Sequence, residues 1–181
     1  MRRGLHLGLI ANRTIRVILH GLKTRLRLAL PSDAPLVMQW ENNPAFWPIT
    51  EEPGPFTLEQ IEEALHRSGS LEQHGQARWI IHTTSMQPVG LLDLFNYKPT
   101  HKSAGIGILI GHANDRGRGY ASDAIRTILM RLKTLRQLEQ LECLIHCDNV
   151  SSLHLFTQLG FRPGEKTIYK QKEAQHFLLD L

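Results

Sequence analysis

Residues 104–135 join an apolar strand pattern to a long amphipathic run across a short glycine-rich junction. In AGIGILIG, Ile106, Ile108 and Ile110 fall on one face at a spacing of two, opposite Gly105, Gly107 and Leu109. From Ala121 onward, Ala124, Ile125, Ile128, Leu129, Leu132 and Leu135 recur at helical spacing. A strand that passes at once into such a helix must lay that helix back over its sheet, so the chain is committed to an α/β (α+β) architecture.

The flanking elements fit the same plan. TRLRLAL (24–30) alternates as a strand, and Ser32 is placed to cap a helix DAPLVMQWEN. Thr57 and Gln60 have capping-box spacing ahead of LEQIEEALHRS. ARWIIHTT and PVGLLDLFNY read as strands joined by a short link. After the long helix come the strand LECLIHC, a short helix from Asn149 that ends at LGF, and two closing strands near KTIYKQK and AQHFLLDL. The expected order is β-α-α-β-β-β-α-β-α-β-β, one mixed sheet flanked by helices. A chain of 181 residues fits a single core better than two.

The net charge of +4 is misleading. Seven basic residues and no acid lie in residues 1–30, which leaves 14 basic against 17 acidic groups in the remainder, about −3. A basic end does not make a nucleic-acid-binding body, so no nucleic-acid partner is expected. Residues 1–22 read as a basic, poorly ordered extension, with a mitochondrial-type presequence as the alternative. Arg13, Arg16 and His20 interrupt every apolar run there, which excludes a membrane span, and no membrane partner is expected. Cys143 and Cys147, four residues apart in a strand, stand about 13 Å apart, too far for a disulfide. They read as reduced thiols of a cytoplasmic protein, and no ligand set for a metal accompanies them.

The junction RGRGYA (116–121) carries the chemistry. N–H groups at a helix start lack intrahelical partners and bind anions. Gly117 and Gly119 remove the Cβ atoms that would hold a phosphate away, and Arg116 and Arg118 add charge. A diphosphate site and an ordinary glycine turn with solvated arginines both remain open from this hexamer. A P-loop is excluded, since no Gly-Lys-Ser/Thr occurs in the chain. The glycines of GIGILIG lie within a strand instead of at the strand-to-helix turn, which disfavours a dinucleotide fingerprint.

RGRGYA resembles the Q/R-x-x-G-x-G/A pyrophosphate loop of the GNAT superfamily of acetyl-CoA-dependent N-acetyltransferases, and NVSSLHLFTQLGF (149–161) is similar to its Asn-x-x-Ser…Leu-Gly-Phe segment. Both motifs stand in the family's order with a strand between them. The resemblance implies a GNAT-type mixed, mostly antiparallel central sheet flanked by helices, over residues 23–181. Within the superfamily, RLRLALPSDAPLVMQWENNP resembles ribosomal-protein N-terminal acetyltransferases, and LLDLFNYKPTHKSAGIGILIG looks like spermidine N-acetyltransferases.

The resemblance further implies acetyl-CoA as cosubstrate. The N–H groups around Arg116, Gly117, Arg118, Gly119, Tyr120 and Ala121 would hold its diphosphate, and Leu109 and Ile110 would lie along the pantetheine arm. The Leu109 N–H would polarise the thioester carbonyl, Asn149 would hydrogen-bond the cofactor, and Ser152 would stand near the sulfur. Two departures matter: Phe156 occupies the position of the family's tyrosine acid, and Gly105 the position of a glutamate in spermidine-type relatives.

Asp93, in the apolar strand GLLDLF, is then the foremost side-chain candidate for a base, with pairing to an arginine as its alternative role. His146 is a weaker one. Ser152 either protonates the leaving thiolate or caps its helix. Trp47, Glu51, Glu52 and Phe56, between the first two helices, form a candidate wall for a cationic amine. The expected activity is direct acetyl transfer to a primary amine in a ternary complex, a small-molecule amine being favoured. Protein N-terminal acetylation and a non-catalytic acyl-CoA sensor are the alternatives. The protein is expected to be a monomer or homodimer.

Overall fold

The computed structural model describes residues 18–44, 54–136 and 138–181. Its strands are β1 (Ile18–His20), β2 (Thr24–Leu28), β3 (Gly69–Ser70), β4 (Gln76–Thr83), β5 (Pro88–Lys98), β6 (Ser103–Ile110), β7 (Gln140–His146), β8 (Arg162–Tyr169) and β9 (Lys172–Asp180). Its helices are α1 (Ala34–Glu41), α2 (Leu58–His66), α3 (Leu71–His74), α4 (Tyr120–Leu135) and α5 (Val150–Gln158). The strands form one sheet in the order β1-β2-β4-β5-β6-β7-β9-β8, with β3 pairing β4 off that path. Every pairing is antiparallel except β6 with β7, which α4 joins as a crossover.

Alternation along the strands sorts the core onto two faces. Ile106, Leu92, Leu94, Cys143 and Ile145 lie in one cluster with Ala124, Ile125, Ile128, Leu129 and Leu132 of α4 and Phe156 of α5. Ile80 and Leu91 lie in a second cluster with Ala34, Val37 and Trp40 of α1 and Ile61 and Leu65 of α2. The stripe from Ala124 to Leu132 is thus the face that α4 turns to the sheet, whereas Leu135, read into the same stripe, is exposed at the helix end. Each fully buried leucine or isoleucine in it stabilises the fold by about 2 kcal/mol.

The structure corrects several local expectations. Residues 18–22, expected in the extension, form β1 and its turn, with Ile18 opposite Arg27 and His20 opposite Arg25. Three short elements, β1, β3 and α3, lay below the length at which periodicity is visible. Ser32 does not cap α1. Asp33 closes that corner instead, accepting from the Leu30 N–H at 2.8 Å and from both terminal nitrogens of Arg27 at 2.7 Å. The capping box of α2 forms as expected: the Gln60 N–H donates to Thr57 Oγ1 at 3.2 Å, and the Thr57 N–H to Gln60 Oε1 at 2.8 Å.

Asp123, in the first turn of α4, ties the β1–β2 turn to the helix. Its carboxylate accepts from the N–H groups of Leu22 (3.1 Å), Lys23 (2.9 Å) and Thr24 (2.9 Å) and from Thr24 Oγ1 (2.7 Å). Burial alone would raise its pKa, but these donors outweigh burial and hold it below the usual carboxylate range. A depressed folded-state pKa gives stability that is complete above the unfolded value of about 3.9 and is lost as pH falls through the folded value. Asp123→Asn should therefore lower the melting temperature at neutral pH and flatten its decline below about pH 4. Melting curves of both proteins across that range check this.

Candidate active site

β6 and β7 pair only at Ser103↔Gln140, Ala104↔Leu141 and Gly105↔Glu142. β6 continues to Ile110 and β7 to His146, so beyond that point the two parallel strands part. Burial follows the parting: residues 103–106 of β6 are buried and residues 107–110 only half-buried. Lys98 Nζ bonds Glu142 Oε1 at 3.0 Å, fastening the β5–β6 hairpin to β7 beside the fork. The opening is a cleft of about 130 Å³ between Ile106, Gly107 and Ile108 on one side and Cys143–His146 on the other. Asn149, the N-cap of α5, Ser152 and Phe156 of α5 and Tyr169 of β8 complete its lining.

The strand pattern determines which amides face this gap. The Gly111 N–H donates to Val89 O at 3.0 Å, and Leu109 and Gly107 pair with Leu91 and Asp93 two and four residues further along the same register. Antiparallel alternation thus directs the Leu109 N–H towards β5 and those of Ile108 and Ile110 towards the gap. The Leu109 side chain packs against the cluster of Trp40 and Leu91.

At the end of β6 the chain passes through a 3-10 turn (Ala113–Asp115) into the glycine junction. Gly117 and Gly119 both adopt left-handed backbone, with φ of 71° and 84°. Gly119 is the N-cap of α4 and offers no side chain, and the first helical bond runs from the Asp123 N–H to Gly119 O at 3.1 Å. The N–H groups of Tyr120, Ala121 and Ser122 therefore have no hydrogen-bond partner among the described residues. Arg116 and Arg118 are exposed around them. A third cation arrives from the β1–β2 turn: Lys23 Nζ donates to Arg118 O at 3.1 Å and stands 3.2 Å from where a Cβ on Gly119 would lie. Nothing in the sequence links Lys23 to the loop; Asp123 brings it there. Lys23→Met should weaken the binding of a diphosphate-bearing ligand to these amides about fivefold and make it less sensitive to salt, measured by titration at two ionic strengths.

Around the cleft, Asn149 caps α5. Its Oδ1 accepts from the Ser152 N–H at 3.2 Å and from Ser151 Oγ at 3.0 Å. The cap is thus Asn149, and the Ser152 hydroxyl, half-buried at the cleft, makes no hydrogen bond among the described residues. Phe156 is 3% exposed and meets Phe161 edge to face, 5.0 Å between centroids. Burial pushes the Cys143 thiol up to about 12, with the Glu142 charge adding to it, so this cleft sulfur stays protonated.

Asp93 is engaged. Arg78 Nε and Nη2 donate to its two oxygens at 2.7 and 3.0 Å, and Arg78 Nη1 stands 3.1 Å from Glu41 Oε1. Burial, reinforced by the Asp93 charge, raises the pKa of Glu41 although Arg78 opposes it. The Gly105 position has a packing explanation, because a Cβ there would run into the Phe95 ring. Trp47, Glu51 and Glu52 lie outside the described residues. Phe56 does not present its backbone to solvent: its N–H donates to Asn42 Oδ1 at 2.7 Å and its O accepts from Asn42 Nδ2 at 2.9 Å, which closes the base of that loop. Tyr169 reaches the cleft from a hairpin whose other β8 residues are exposed. Sequence gave no sign of this, since nothing in KTIYKQK tells where the hairpin folds.

Residues 23–162 match the family described as the GNAT acetyltransferase domain. The chain belongs to the GNAT acetyltransferase family. No curated protein sequence matches it. Among solved structures, this GNAT chain is similar to RimL, a ribosomal L7/L12 alpha-N-protein acetyltransferase in complex with coenzyme A. The TM-score is 0.79 at 18% identity, over 91% of this chain and 98% of that one. It is also similar to the spermidine N-acetyltransferase from Vibrio cholerae in complex with CoA and spermine, with a TM-score of 0.77 at 18% identity over 87% and 95%. At such identities the likeness is one of fold. Among the described residues no group of three or more His, Cys, Asp or Glu side chains is arranged to hold a metal ion, and no helix is long and apolar enough to cross a membrane.

Proposed function

We propose that this GNAT protein transfers the acetyl group of acetyl-CoA to a primary amine by direct attack in a ternary complex, with a small-molecule amine as acceptor. The observation that carries the reading is the fork between β6 and β7, a cleft lined by Ile108 and Ser152 from whose mouth β6 runs on to the glycine junction and the N–H groups of Tyr120, Ala121 and Ser122. The diphosphate is held at those amides, flanked by Arg116, Arg118 and Lys23. The pantetheine arm lies in the fork along Leu109 and Ile110, and the Ile110 N–H, turned to the gap, is the donor to the thioester carbonyl in place of Leu109. Asn149 holds the α5 end of the cleft in shape.

Ser152 protonates the departing thiolate, directly or through water, because Phe156 carries no proton to give. The thiol of Cys143 remains protonated, which favours direct transfer over an acetyl-cysteine intermediate. Trp47, Glu51 and Glu52 are retained as the candidate acceptor wall. Mixing the purified protein with acetyl-CoA and a panel of polyamines, small monoamines and Ala- or Ser-starting peptides tests the reading by thiol release. Release with a small amine is expected. Release with peptides alone would assign the protein N-terminal alternative. Silence throughout, with CoA bound, would favour the sensor.

A further inference from the structure

The acceptor must lose a proton before it can attack, and the sequence's foremost base, Asp93, is held by Arg78. His146 answers the need. It closes β7 and is 4% exposed, yet it lines the cleft. Neither its Nδ1 nor its Nε2 has a hydrogen-bond partner among the described residues. A buried imidazole with both nitrogens unsatisfied is costly, and such a group calls for a partner that comes and goes. Its ring meets that of Tyr169 at 5.6 Å between centroids. Asp148, the acid that follows it in the chain, bonds Lys172 Nζ at 2.7 Å instead.

Orientation points the same way. Cys143 and Ile145 pack into the cluster under α4 and α5, so alternation turns His146 to the opposite face, the face on which Leu109 and Leu91 meet α1 and α2. Counting on from the last pair, Gly105↔Glu142, His146 stands across the gap from Leu109. The imidazole therefore looks into the fork from the side away from Ser152's helix. An acceptor arriving on that face would meet it first.

We propose that His146 is the catalytic base of the transfer and takes the proton that the acceptor ammonium must lose. The inference rests on the acetyltransferase reading above. In the step, an N–H bond of the ammonium breaks and its proton passes to the free imidazole nitrogen. The amine lone pair forms the C–N bond at the thioester carbon, and the C–S bond breaks with its electron pair going to sulfur. The second nitrogen proton of the new amide, or that of Ser152 replenished from it, yields the free thiol. The imidazolium returns its proton to water.

The test compares wild type with His146→Gln and His146→Ala on the acceptor that wild type uses, at about pH 7 and about pH 9.5, with acetyl-CoA affinity measured alongside. At pH 7 the amine is protonated, and kcat should fall about 100-fold. Near pH 9.5 much of an amine is already neutral, and the deficit should shrink to about tenfold or less. Cys143 in the cleft lining, Cys147 and Asp148 on the same segment, Tyr169 on β8 and Lys172 and Glu173 on β9 are the other charged or titratable groups about the site among the described residues. They are common to all three proteins, so their titration cancels in the ratio. Added imidazole should restore part of the His146→Ala activity. A deficit equal at both pH values without rescue, or no deficit in either variant, overturns the proposal while leaving the acetyltransferase reading intact. A wild type that releases thiol with no amine overturns that reading and this inference with it.

Discussion

Gly119→Val should lower CoA affinity about 100-fold or more. Two effects combine. At φ 84° a β-branched residue is strained by about 1–3 kcal/mol, and its Cβ would stand 3.2 Å from Lys23 Nζ, in the space where the proposed diphosphate would reach the amides of Tyr120, Ala121 and Ser122. Gly75→Ala is the matching control, since Gly75 has φ 70° and open space around its absent Cβ, at the end of α3. It should lower the melting temperature by a few degrees and leave CoA binding alone. Isothermal titration of both variants separates strain from loss of the site. Unchanged affinity in Gly119→Val would remove this loop from the cofactor's path.

The largest stability effect is expected at Arg78. Its side chain is 22% exposed, and it neutralises two carboxylates that are themselves only 25% (Asp93) and 15% (Glu41) exposed. Arg78→Met would leave both without their cation. Removing one member of a buried ion cluster typically costs about 3 kcal/mol, and for a chain of this size that lowers the melting temperature by about 6–12 °C. The pH dependence has a definite sign. Burial already raises Glu41, and loss of Arg78 raises it further. A carboxylate whose folded-state pKa exceeds its unfolded value stabilises the fold below the unfolded value and ceases to do so as pH rises through the folded one. The deficit of Arg78→Met should therefore be greatest at neutral pH and shrink on acidification towards about pH 4, as melting curves will report.

The long elements were legible because each carries a period. The stripe from Ala121 to Leu132 and the alternation of Ile106, Ile108 and Ile110 need no tertiary information to be read, and they correspond to α4 and β6. β1, β3 and α3 span two to four residues, fewer than two full periods of a strand or helix, and they form because a neighbour holds them. Asp123 does this for β1, from a position about 100 residues away in the chain.

The glycine junction was legible as the turn into a helix, because Gly117 and Gly119 stand just ahead of the helical period, and both adopt left-handed backbone there. Side chains that meet only after folding were not. Lys23 reaches Gly119 through a turn fixed by Asp123, and Tyr169 reaches the cleft through a hairpin. Asp93 shows the converse. Its burial among apolar residues was visible in GLLDLF, but Arg78, which pairs with it across β4 and β5, is fifteen residues away and could have faced either side. The same limit ranked His146 behind Asp93 in the sequence. Its place on a strand could be read, whereas the parting of β6 from β7 that leaves both its nitrogens without a partner among the described residues could not.

Release of free thiol from acetyl-CoA by the purified protein, with and without an amine, separates a transferase from a protein that only binds the thioester. Little release without acceptor, release that saturates with a small primary amine, and loss of that release in Gly119→Val are expected. An amine-independent baseline for every acceptor, in a protein that binds acetyl-CoA, would contradict the transferase reading and leave an acyl-CoA-binding protein without transfer.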